Sequence, residues 1–136
     1  MIRRAVEFLR ILTGSRKRHE AAWAPIREPG PDGYNPFALR CEAVIVECLR
    51  QRGLALANRS TEHGPTWPGA PDEIIVFAEV PELGARVSLC SDQTEINAPN
   101  QHLLLEDWAT ETPEEHFRLV REFVARLPVT GSRPTG

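Results

Sequence analysis

Residues 73–89, EIIVFAEVPELGARVSL, constrain the fold more than any other stretch of the chain. The first part, EIIVFAEV (73–80), is rich in β-branched residues and apolar on both faces. That marks a central strand, covered on two sides or covered on one and partnered on the other. PELG supplies a turn, and ARVSLCSD (85–92) then alternates Val87 and Leu89 with Arg86 and Ser88. Two such runs joined by a tight turn form an antiparallel hairpin.

Strand signals on either side extend this hairpin. LALAN (54–58) reads as a first strand, and QHLLLEDW (101–108), after the turn-like NAPN (97–100), as a fourth. The intervening RSTEHGPTWPGAPD (59–72) holds three prolines and two glycines and reads as a loop, with Trp67 expected to tuck over the core edge.

Two helices carry clear start signals. Asn35 and Pro36 combine an N-cap with proline at the first helical position, and Phe37, Cys41, Val44, Ile45 and Cys48 follow at helical spacing until Gly53. Thr112, Pro113, Glu114 and Glu115 repeat the device before a stripe of Phe117, Val120, Val124 and Leu127, which Pro128 ends. Short-turned strands flanked by helices predict an α+β two-layer sandwich, an antiparallel sheet of about four strands with helices on one face.

Residues 37–128 are expected to form this single domain. Before it, residues 1–12 read as an amphipathic helix, with Ile2, Val6, Phe8, Leu9 and Leu12 on one arc and Arg3, Arg4, Glu7 and Arg10 on the other. This helix is expected to dock on the sheet or on a second copy, the latter giving a homodimer. Residues 13–36 read as a basic, proline-rich linker and 129–136 as a flexible tail.

Charge is distributed unevenly along the 136 residues, whose formal net charge is −3. Residues 1–59 hold eleven Arg or Lys against six acids, and residues 60–136 hold five against thirteen. Lys17 is the sole lysine, so Schiff-base chemistry within the folded body is excluded unless the basic linker around Lys17 folds into a site. Three cysteines do not make a disulfide framework. No apolar run is long enough to span a bilayer and no export signal is visible, which points to the cytoplasm. An acidic body without interleaved basic and aromatic residues argues against nucleic acid.

Candidate sites centre on LLLEDWATETPEEHF (103–117). Glu114 and Glu115 are accounted for by the first turn of a helix, where the exposed amides favour carboxylates. Glu111, just before the cap, is open to the same field, whereas Glu106 and Asp107 at the end of a strand are not explained this way. Trp108 beside them is a natural apolar anchor for an acidic edge of Asp92, Glu95, Glu106, Asp107 and Glu111. A hydrolase built on His102, Glu106 and Asp107 with a metal, or on Cys90, is the competing reading. In a strand, however, His102 and Glu106 stand about 13 Å apart, too far to share one ion. Cys90 lacks a helix start or glycine elbow to lower its pKa. Cys41 and Cys48 lie on the apolar helical stripe and read as packing.

The preferred expectation is therefore a small cytoplasmic, non-enzymatic binding module without cofactor or metal. Its acidic residues Asp92, Glu95, Glu106, Asp107 and Glu111, with Trp108, would engage a basic protein. In size, charge and element order such a chain resembles small bacterial toxin-neutralising immunity proteins and acidic secretion chaperones. That resemblance implies an inhibitor or accessory role; no motif specific to either group is present.

Overall fold

The computed structural model describes residues 15–65, 68–70 and 72–130. Over these residues the chain is an α+β fold with three helices and a five-stranded antiparallel sheet. The helices are α1 (Ser15–Trp23), α2 (Pro36–Gln51) and α3 (Pro113–Arg126). The strands are β1 (Ala57–Pro65), β2 (Asp72–Val80), β3 (Ala85–Leu89), β4 (Gln93–Ala98) and β5 (Gln101–Glu106), a meander ordered as in the sequence.

Turn chemistry fixes the meander. Pro81–Leu83 form a 3-10 turn that closes on Gly84 at φ 61°, a left-handed position where glycine carries no Cβ penalty. Asn100, at φ 64°, makes the same move between β4 and β5. Register then sorts the side chains. Ala78, Val87, Ile96 and Leu103 face one another across four strands, as do Val76, Leu89, Thr94 and Leu105. These rows form the core face, covered by Phe37, Cys41, Ile45 and Leu49 of α2 and Phe117, Val120 and Val124 of α3.

Helix ends are satisfied by specific groups. The Asn35 side chain accepts hydrogen bonds from the amides of Phe37 (2.8 Å) and Ala38 (3.3 Å), and Thr112 caps α3 through the Glu115 amide (3.2 Å). Arg52, just past α2, donates to the carbonyls of Val124 (2.7 Å) and Leu127 (2.6 Å), tying the two helix ends together.

Three expectations need correction. The sheet has five strands, because Gln93–Ala98, for which the sequence suggests no element, form β4 between the hairpin and the last strand. The first strand also lies further along than expected, since residues 60–65 pair with β2 and are not a loop. Their side chains are almost all exposed, so the segment carries no alternating apolar signal, and β2 supplies the pairing instead. Of LALAN, only Ala57 and Asn58 belong to that strand, at an irregularity where Asn58 takes φ 54°. The stretch expected to be linker contains α1, and its Trp23 is wholly buried against Phe37 and His116. Packing of one large aromatic outweighs a sequence with no amphipathic face. The expected helix at 1–12, Trp67 and residues 131–136 lie outside the described residues. Thr130 donates its amide to the Glu82 carbonyl at 2.8 Å.

Candidate functional site

The second face of the sheet carries no described helix. Reading across the register, it presents Ser60, Phe77, Ser88, Glu95 and Leu104 in one row. Glu79, Arg86, Asn97 and His102 form the next row, and Glu62 with Ile75 and Gln93 with Glu106 lie on the other side. Glu73 begins the β2 part of this face. Leu104 is 47% exposed, while Ile75 and Phe77 are half-buried.

Charge on this face is one-sided. Among the described residues it holds Glu62, Glu73, Glu79, Glu95 and Glu106 against Arg86 alone of the permanently basic side chains. Arg86 is 82% exposed and stands 3.8 Å from Glu79, a contact that solvent weakens. Asn58 donates to Glu79 at 2.6 Å, and these groups with Ser60 and Phe77 line a depression of about 230 Å³. His102 Nε2 lies 2.9 Å from Glu95.

The predicted acidic set divides on this scaffold. Glu95 and Glu106 fall on the uncovered face. Asp92 lies in the β3–β4 turn beside them, its carboxylate accepting from the Cys90 thiol at 3.1 Å. Glu73, near that turn, accepts from the Ser91 amide at 2.7 Å and from its hydroxyl. Trp108 is half-buried and donates its indole N–H to Glu106 at 2.7 Å. Glu111 is half-buried, in the short segment between the 3-10 turn Asp107–Ala109 and α3.

Asp107 does not join them, which corrects the expected surface. Its side chain is 2% exposed and receives the Arg27 guanidinium at 2.6 Å. Its backbone carbonyl accepts from His19 Nε2 at 2.9 Å, and its amide donates to the Asp92 carbonyl at 2.8 Å. Asp107 is thus the clasp that fastens α1 and the turn after it to the end of β5. A carboxylate so placed is neutralised from within.

The groups invoked for hydrolysis are arranged differently. His102 and Glu106 share the uncovered face at strand spacing, and among the described residues no three His, Cys, Asp or Glu side chains converge as a metal set. Burial pushes the Cys90 thiol up to about 12, so it is protonated at neutral pH. A second thiol, Cys41, accepts from the Thr94 hydroxyl at 3.3 Å, and Thr94 lies 2.8 Å from His116 Nε2. Burial likewise holds Cys41 at about 12 and lowers His116 to about 4, with Asp107 opposing that fall. This chain of polar groups stitches α2, β4 and α3 together inside the core. On the helical side, a largely apolar groove of about 600 Å³ runs among Ala22, Ile26, Leu39 and Pro113, with Arg40 and Glu114 as its charged lining.

Sequence reasoning missed Glu62, Glu73, Glu79, Ile75, Phe77 and Leu104. The signal was present in the alternation of EIIVFAEV and of HLLLE, but it needs the register to show which alternate set is left uncovered. Comparison with protein-family models, with curated proteins and with solved structures returns no match to this chain.

Proposed function

We propose that the protein is a non-enzymatic binding module that receives a basic protein partner on its uncovered sheet face. The observation that carries this reading is the composition of that face: among the described residues it holds five glutamates and one arginine, with Ile75 and Phe77 adjoining on β2 and Leu104 apart from them on the edge strand β5, beyond Ser88 and Glu95. Apolar side chains interleaved with such acids supply affinity when desolvated, while the like charges set partner choice and encounter rate. Asp92 and Trp108 extend the rim past the ends of β3 and β5. An inhibitor or accessory role is compatible with such a surface, whose acids are complementary to arginine- or lysine-rich partners. Among the described residues no helix is long and apolar enough to cross a membrane.

A peptide alternating arginine with leucine, titrated into isotopically labelled protein, tests the reading. Amide shifts are expected at face positions in β1 to β5, with binding stronger than to oligoarginine and weakened by salt. Glu62→Lys with Glu95→Lys is expected to weaken the peptide about tenfold or more. Shifts confined to the helical side, or full affinity in the doubly substituted protein, would overturn it.

A further inference from the structure

The same molecule that carries the glutamate face carries a basic counterpart. Arg16, Lys17 and Arg18 open α1, and all three are exposed. Arg16 pairs with Glu20 at 3.1 Å across one turn; Lys17 and Arg18 make no ion pair among the described residues. Their position is unfavourable for the helix itself. The first turn of α1 has no acidic residue, so three cations stand at the positive end of the helix dipole, where like charge is disfavoured. An external set of carboxylates relieves that repulsion, so the helix is poised to accept acidic groups.

The two patches are also neighbours. His19 donates to the Asp107 carbonyl, which fixes α1 beside the end of β5. Arg16 precedes His19 by three residues, about 4.5 Å along the helix axis. The basic turn therefore stands near the β5 edge, where the glutamate face also ends.

Resting on the function proposed above, we infer that one basic partner of this face is a second copy of the chain. Arg16, Lys17 and Arg18 of each subunit lie against Glu62, Glu79 and Glu95 of the other, in a two-fold, reciprocal pair. Area decides for reciprocity. Five strands at about 4.8 Å spacing and six residues at about 3.3 Å make a face of roughly 400 Å². One such contact falls short of the roughly 800 Å² per partner of a stable complex, and a reciprocal pair, which buries one face and one helix turn on each subunit, comes nearer to it. Face-to-face pairing of the sheets is disfavoured, because it opposes glutamates to glutamates.

Sedimentation equilibrium of the full chain across a range of salt concentrations tests the inference. A dimer is expected at low salt, with the association constant falling as salt rises. Two charge-reversed proteins sharpen the result: Arg16→Glu with Lys17→Glu and Arg18→Glu, and separately Glu62→Lys with Glu95→Lys. Each alone is expected to associate at least about tenfold more weakly, and an equimolar mixture is expected to recover the dimer because reversed helix meets reversed face. A chain that stays monomeric at every salt, or a mixture that stays monomeric, overturns the inference; the first of these outcomes is read on the unaltered chain, with no substitution to disturb its folding. Should the dimer fail while the arginine–leucine peptide still maps to the sheet face, only the second-copy partner is lost. Should both fail, the function proposed for the face falls with it.

Discussion

His116 shows how a single residue couples the core to pH. It is fully buried between Trp23, Phe37 and Phe117, its Nε2 lies against Thr94, and its Nδ1 has no hydrogen-bond partner among the described residues. Protonation would bury a charge and a second N–H with nothing to receive it, which is why the ring is held at about 4. The unfolded chain takes up its proton near 6.5, above the folded value, so the unfolded state binds more protons between the two. Stability is therefore fully present above about pH 6.5 and is lost as pH falls towards about 4, by roughly 3 kcal/mol at most from this residue. Urea melts at about pH 7 and about pH 4.5 are expected to show that loss, and His116→Phe to remove most of the slope. An unchanged slope in the variant would assign the acid sensitivity to other groups. Arg27 and Asp107 work differently at the same scale. Their 2.6 Å ion pair ties the turn after α1 to the end of β5, and Arg27 also rests 5.5 Å from the Trp23 ring centre.

Among the elements, α1 is the one least able to stand alone. Nine residues are too few for a stable isolated helix, and SRKRHEAAW has no continuous apolar stripe. Three tertiary anchors hold it: Trp23 in the core, His19 on the Asp107 carbonyl, and Arg27 on the Asp107 carboxylate. Trp23→Ala is expected to cost about 3–5 kcal/mol. Amide exchange across residues 16–27 should rise more than in α2 or α3, which keep their own caps and their packing on the sheet when Trp23 is removed. Uniform loss of protection would mean that α1 is integral to one cooperative unit. The start signals of α2 and α3 were legible because Asn35 and Thr112 act on amides two and three residues away. Trp23 acts on residues far along the chain, and no local pattern announces such a contact. β1 was hidden for a related reason: pairing with β2 builds it, and its own exposed side chains do not ask for a strand.

Across the fold, among the described residues, the division of the sheet into a face covered by helices and one without a described helix organises both stability and the proposed binding. Leu104 and Leu105 are adjacent in β5 yet point to opposite faces, 47% and 9% exposed. Leu105→Ala is expected to cost about 3 kcal/mol, and Leu104→Ala to stay within about 0.5 kcal/mol while weakening the arginine–leucine peptide. Equal destabilisation by the two changes would mean that the second face is covered as well. Two-sided apolar character in EIIVFAEV points to a central strand, and β2 is one, but its outward residues Ile75 and Phe77 remain half-buried instead of packed beneath a layer.

Local chemistry in the sequence determined the helix starts, the β2–β3 hairpin, the α+β class and the acidic bias of the second half. Each of these depends on residues within a few positions of one another, or on composition alone. Tertiary structure decided which acids face solvent together. Alternation assigns a side chain to one of two faces, but only the packing of α2 and α3 selects the face that is buried. Asp107 and Glu106 are consecutive and alike in charge; Asp107 turns inward to an arginine eighty positions earlier, while Glu106, on the other face of the sheet, accepts the indole N–H of Trp108. No spacing rule distinguishes them, because the partner that makes the difference is brought near by the fold.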